Sequence, residues 1–279
     1  MSAMPHRFAG HLGLRAPDRP LLRHLAGSGD PIAQIELLAD CGFVGVQDNF
    51  LALRQPEQQE RIGQALARRG LAMGSFVHDP LAWNRPTWSA ADVDSRAALL
   101  AEVKRTIACA RRVGGCHVTC ITGFDPGRSR SEQLAAMADN LARAGDCAAR
   151  AGLILCVEAT APAFVPGMLV ESSADAIALV DRADHEAVAL MLDTGHCAMN
   201  GEDLPTAIRR AGRRVAVVQI ADTPGRIDPG AGTLDWPAIF AALAEIDHAG
   251  LIEVEHEPME DSAEGERSLL GRLQALPRS

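Results

Sequence analysis

The chain has 279 residues, 47% hydrophobic and 23% charged, with 25 Gly and 16 Pro, which excludes a disordered, collagen-like or small disulfide-stapled protein. Twenty-seven Lys and Arg against 36 Asp and Glu leave a net charge of −9, a mean field that repels phosphate backbones and anionic membrane surfaces, so neither nucleic acid nor membrane is expected as a partner. The 7 cysteines are odd in number and sit mostly in apolar runs, as reduced core thiols do, and no window approaches ~18 uninterrupted apolar residues, so the sequence reads as cytoplasmic.

Short β-like runs alternate with longer amphipathic stretches from end to end. Strands are predicted at 8–14, 43–48, 71–77, 116–122, 153–158, 188–193, 215–220 and 251–255. They are rich in Val, Ile, Leu and Cys with little polar alternation until their last residues, the pattern of parallel strands covered on both faces. Between them, Asp30-Pro31 caps a helix that should stop near Gly42, and Pro56 opens a second that stops at Gly70. Further helices are predicted at 92–113, 131–151, 172–183, 203–211, 235–249 and 262–276. Eight strand–helix units joined by right-handed crossovers close into a (β/α)8 TIM barrel, an α/β fold expected here as one domain over 1–279. The rival, an open doubly wound sheet, would carry a Gly-rich phosphate turn after its first strand. Arg15-Ala-Pro-Asp-Arg-Pro stands there instead.

Reactive groups of such barrels project from the C-terminal ends of the strands. The fifth predicted strand ends on Glu158. The sixth ends on Asp193, followed by Thr-Gly-His196, the seventh on Gln219-Ile-Ala-Asp222, and the eighth on Glu253-Val-Glu255-His256. Four oxygen-bearing side chains from four adjacent units converge, and a divalent cation is the usual compensation for their repulsion and burial. All-oxygen ligation by Glu158, Asp193, Gln219 and Glu255 favours Mg²⁺ or Mn²⁺. Glu253 competes with Glu255, two positions away on the same face; Glu255 lies nearer the strand end.

These residues resemble the sugar-isomerase-like (xylose isomerase-like) TIM barrels, and within them the hydroxypyruvate isomerase group. The run Gln219-Ile-Ala-Asp222-Thr-Pro-Gly-Arg226 through Gly232-Thr-Leu-Asp-Trp236 is similar to that group's seventh-strand signature, and Glu255-His-Glu-Pro258 to its eighth-strand ending. The resemblance implies that Glu158 and Glu255 also act as acid and base on opposite faces of the substrate, that His196 and Arg226 hold substrate oxygens, and that the chain forms a homodimer or homotetramer. It implies isomerisation of a small hydroxy-carbonyl acid or sugar through an enediolate, with hydroxypyruvate and tartronate semialdehyde as the first pair. The first half departs from the group: Val46-Gln47-Asp48-Asn49 stands where a glutamate and an aromatic are common, and Ala159-Thr160 replaces a proline-leucine-asparagine run.

Several positions stay open at this level. Asp222 either orients Arg226 and contacts substrate or caps its own loop, and His196 either touches substrate or holds Asp193. His78-Asp79 and His117 read as structural, and Cys116 and Cys120 as core. Trp83 and Trp88 lie in a proline-rich loop that can serve as an aromatic lid or as ordinary packing. The same metal site also suits a ketose 3-epimerase or a keto-inositol dehydratase. From other classes, a non-catalytic sugar-binding barrel predicts binding without turnover, and a DNA-repair endonuclease is opposed by the net charge.

Overall fold

The computed structural model describes residues 4–278; residues 1–3 and 279, the ends of the predicted one-domain span, lie outside it. Nine strands run in chain order: β1 (Phe8–His11), β2 (Gly45–Gln47), β3 (Ala72–Met73), β4 (Ser75–Val77), β5 (His117–Cys120), β6 (Ile154–Glu158), β7 (Val188–Asp193), β8 (Val215–Ile220) and β9 (Ile252–Val254). Every pairing is parallel, in the order β3-β2-β1-β9-β8-β7-β6-β5-β4. This is the α/β TIM barrel that the alternating sequence predicts.

The third predicted stave is the one that differs: it breaks at Gly74 into β3 and β4, the two ends of the sheet. The Gly74 amide donates to Val46 O at 2.6 Å and the Asp48 amide to Ser75 O at 3.2 Å, so the barrel closes across this break. A Cβ at Gly74 would lie 2.4 Å from Glu253 Oε1 and 3.0 Å from Val46 O. The missing side chain is what lets a buried carboxylate stand against the backbone there.

The helices are α1 (Arg23–Ala26), α2 (Pro31–Asp40), α3 (Pro56–Arg69), α4 (Val93–Val113), α5 (Arg130–Ala149), α6 (Ser173–Ala183), α7 (Thr194–Met199), α8 (Leu204–Ala211), α9 (Trp236–Glu245) and α10 (Ala263–Ala275). Their starts are where the capping residues stand. Asp30, Asp92, Ser172, Asp203, Asp235 and Ser262 each accept a first-turn amide, and Ser129 forms a reciprocal capping box with Glu132. The apolar stripes of α2, α3 and α9, through Ile35, Leu38, Ile62, Leu66, Ile239 and Phe240, pack into the core around the barrel. Sequence periodicity missed α1 and α7, too short to show a period. α7 matters most, because it follows β7 without a loop and its N-cap is Asp193. No helix among the described residues is long and apolar enough to cross a membrane.

Candidate active site

Parallel strands of similar register present their last residues at one rim, and there Glu158 ends β6, Asp193 ends β7, Gln219 lies one residue from the end of β8 and Glu255 follows β9. All four are buried, as are His196 and Arg226. Glu158, His196, Gln219, Arg226 and Glu255 line a cavity of about 300 Å³ whose wall also includes Arg15, Asn49, Trp83, Thr160 and Phe164, and Asp193 is paired to Arg226 beside it.

Arg226 ties the carboxylates together. One guanidinium nitrogen donates to Asp193 Oδ2 and, at 2.9 Å, to Glu255 Oε1. Burial disfavours its charge, but Asp193 and Glu255 together hold it firmly protonated. Its backbone sits in the left-handed region at φ 61, a conformation that costs a non-glycine residue energy and is held by the two carboxylates. The other oxygen of Asp193, Oδ1, accepts the His196 amide at 2.9 Å as the cap of α7. A Cβ at Gly195 would approach Arg226 Cγ to 2.8 Å, so glycine here leaves room for the guanidinium. Although burial opposes it, Arg226 and the His196 backbone amide keep Asp193 below the usual carboxylate range.

Gln219 is oriented by what its amide nitrogen touches. Nε2 lies 2.7 Å from Glu255 Oε2, 3.0 Å from Gln47 Oε1 and 3.1 Å from Glu253 Oε2, all acceptors. That fixes Oε1 on the opposite side, where it is buried without a protein partner. Thr160 Oγ1 is in the same condition. A buried polar atom with no partner is costly. An unpartnered amide oxygen on a residue lining the same cavity as Glu158 is a ligand type a hard cation takes. Glu158, Asp193 and His196 offer ligand atoms close enough to share one metal ion, and Gln219 and Glu255 line the same cavity as Glu158 and His196.

Glu158 supports the same reading. Burial, then the charges of Glu255 and Asp193, push its pKa well above the usual range, a cost that a cation would remove. His196 Nε2 stands 3.8 Å from Glu158 Oε1. Ligand atoms of Glu158, Asp193 and His196 all lie within 4.8 Å of one another. The histidine is nevertheless better placed as a donor. Its Nδ1 accepts the Ala161 amide at 3.3 Å and burial keeps the ring neutral, which leaves the hydrogen on Nε2, facing Glu158 and the cavity.

The residues read from sequence thus fall into two sets. Glu158, Asp193, His196, Gln219, Arg226 and Glu255 meet at one place. Asp222, the other predicted substrate contact, does not reach it: its Oδ1 accepts the Thr223 and Leu234 amides and its Oδ2 the Gly230 amide and the Trp236 indole. It organises the loop that carries Arg226. Trp83 lines the cavity, whereas Trp88 is buried in the core and its backbone carbonyl is fixed by Asn140. His78 is turned toward Thr106 of α4, and His117 opens β5 at the opposite end of the strand from the site.

Sequence reasoning missed the contributions of Gln47, Arg15 and Phe164, and weighed Glu253 only as a rival of Glu255. Gln47 reaches Glu255 and Gln219 from β2, while its neighbour Asp48 turns away to pair with Arg54. Glu253 lies beneath the site, accepting from the Ser75 amide and hydroxyl at 2.6 Å each, so it holds Gln219 from below while Glu255 faces the cavity. Arg15 and Phe164 come from loops, where spacing carries no signal.

The family model described as xylose isomerase-like TIM barrel matches residues 35–274. The hydroxypyruvate isomerase of Escherichia coli is 24% identical over 253 residues, covering 88% of this chain and 95% of its own. A 2-oxo-tetronate isomerase of Pectobacterium atrosepticum is 25% identical over 264 residues, covering 93% and 95%. Among solved structures, a Brucella melitensis chain described as an AP endonuclease, family 2, superposes with a TM-score of 0.79 at 23% identity over 93% of this chain and 96% of that one, a likeness of fold.

Proposed function

The chain belongs to the xylose isomerase-like TIM barrel family, and from that premise we propose that it is an isomerase of short hydroxy-2-oxo acids, with hydroxypyruvate and its aldehyde isomer as the first substrate pair. The observation that carries this reading is the convergence of Glu158, Glu255 and Gln219, whose Oε1 is unpartnered, on one cavity, with Asp193 close to Glu158. Relatives named for hydroxypyruvate and 2-oxo-tetronate point to the same substrate class.

A bound Mg²⁺ or Mn²⁺ supplies a positive charge next to the oxygen on which negative charge develops. The chain's own groups do the rest. One glutamate takes the proton from C3 of hydroxypyruvate, the C3–H electron pair becomes the C2–C3 double bond, and the carbonyl oxygen becomes an enediolate oxygen. Proton delivery to C2, with transfer of the C3 hydroxyl proton to the C2 oxygen, then gives the aldehyde with a hydroxyl at C2. Glu158 and Glu255, on different strands of the same rim, are assigned the two carbon-bound transfers. His196 Nε2–H and the Arg226 guanidinium orient the substrate oxygens, and Trp83 and Phe164 narrow the opening to water.

The test is conversion of hydroxypyruvate without a redox cofactor, abolished by EDTA, restored by Mg²⁺ or Mn²⁺ and lost in Glu158→Gln. Full activity in the EDTA-treated protein or in Glu255→Gln removes the metal-assisted, two-carboxylate reading.

A further inference from the structure

We propose that Arg15 is the residue that recognises the substrate's carboxylate and so sets the preference for an oxo acid over a neutral ketose, an inference that rests on the isomerase reading above. Three cationic or potentially cationic side chains line the cavity: Arg15, His196 and Arg226. Arg226 is already shared between Asp193 and Glu255, and His196 faces Glu158, with Nε2 3.8 Å from Oε1. Arg15 is the one whose charge no carboxylate of the floor neutralises.

Its position suits the task. Arg15 follows β1 on the loop above the rim, with its guanidinium carbon 5.1 Å from the centre of the Phe164 ring. The same ring lies 5.5 Å from the Arg226 guanidinium carbon and 5.6 Å from the His196 ring centre. Phe164 is thus a common wall joining Arg15 to the two groups that meet the reacting oxygens, and it packs against the guanidinium while the N–H edge, now shared with Glu257, is the edge a carboxylate would take in a bidentate contact. Arg15 pairs with Glu257, but the two side chains are 54% and 31% exposed. The Arg15 side chain is more than half exposed, and an incoming carboxylate, anchored at its other end by the floor, competes with Glu257 for it.

Dihydroxyacetone is hydroxypyruvate with the carboxylate replaced by a hydroxymethyl group, and the same proton shift isomerises it. The proposal predicts that Arg15→Gln raises KM for hydroxypyruvate at least 20-fold with a much smaller fall in kcat, that Arg15→Lys recovers part of the loss, and that the kcat/KM preference for hydroxypyruvate over dihydroxyacetone collapses. Removing the competitor, as in Glu257→Gln, lowers KM, a gain that damaged folding does not produce. Unchanged KM and unchanged preference in Arg15→Gln overturn the role of Arg15 while the isomerase reading stands. If the wild-type protein turns over neither compound, the isomerase reading fails, and calorimetric titration of the Mn²⁺-supplemented protein with tartronate decides the remainder. Binding at least 20-fold weaker in Arg15→Gln than in wild type keeps Arg15 as a carboxylate-binding residue, and equal binding removes it.

Discussion

Gln47 donates its side-chain amide to Glu255 Oε2 across 3.0 Å, steadying from β2 a carboxylate that Arg226 grips by its other oxygen. The same glutamine accepts from Gln219 Nε2, so one amide links the two predicted ligands from the last staves. Gln47→Leu keeps the volume and removes both hydrogen bonds in a fully buried place. Leaving buried partners unsatisfied costs about 1–3 kcal/mol each, so the melting temperature should fall. The kcat should fall by on the order of 100-fold, because Gln219 and Glu255 each lose a contact that fixes their orientation. Wild-type kcat in a destabilised Gln47→Leu protein would show that Gln47 only packs.

Gly195 tests the space that Arg226 occupies. Gly195→Ala brings a methyl group to 2.8 Å from Arg226 Cγ and 3.1 Å from Asp193 Oδ1, so the guanidinium must shift. Alanine also favours helix α7 by up to about 1 kcal/mol over glycine, and stability should change little. Activity should fall about 10- to 100-fold in kcat/KM. Measured side by side, a preserved melting temperature with lost activity identifies displacement of Arg226; unchanged activity shows that the loop absorbs the methyl group.

The contrast between Asp193 and Asp222 shows what sequence could and could not reveal. Both are buried carboxylates at or just beyond a strand end. The strands themselves were legible, because Val188–Asp193 and Val215–Ile220 are apolar runs with a polar residue at or next to their last position, and so was convergence at the rim, which follows from parallel register. Whether a side chain then turns into the cavity or back into its own loop depends on where amides point. The loop after Asp222 offers it three amides and an indole N–H, and that geometry has no signature in spacing. Arg15 and Phe164 escaped for a related reason: residues on loops carry neither period 2 nor period 3.6. Gln47 was noted only as a departure from the family pattern, and its contact with Glu255 requires the closed barrel.

Asp222 should therefore behave as a structural residue with an indirect effect on activity. In Asp222→Asn one oxygen acceptor becomes an NH₂ group facing donors, so at least one of the four contacts is replaced by a donor–donor clash. The expected loss is about 2–3 kcal/mol of stability, together with proteolytic sensitivity in the segment 223–235 and a fall in kcat/KM that follows the displacement of Arg226. The substrate dependence discriminates. A loop-organising role lowers kcat/KM for hydroxypyruvate and dihydroxyacetone by the same factor, whereas a direct contact with the carboxylate would change their ratio.

Glu253 gives the metal-free protein a pH dependence whose sign can be worked out. Burial, opposed by Ser75 and Gln219 and reinforced by Glu255, raises its pKa from 4.5 to about 7. Because the folded state then binds a proton more tightly than the unfolded one, the contribution of Glu253 to stability is complete below about 4.5 and is lost as pH rises through about 7. One linked proton corresponds to about 1.4 kcal/mol per pH unit inside that window, and so to roughly 3 kcal/mol across it. Other groups titrate over the same range, so the quantity to measure is the difference between wild type and Glu253→Gln, by denaturant unfolding after EDTA treatment at several pH values. The wild type should lose stability relative to the variant as pH rises from 4.5 to 7, and parallel curves would show that Glu253 is ionised throughout. Mg²⁺ at saturating concentration should flatten the difference if Glu253 acts on the metal site through Gln219, because a cation held by Gln219 Oε1 and the neighbouring carboxylates offsets the negative charge that raises the Glu253 pKa.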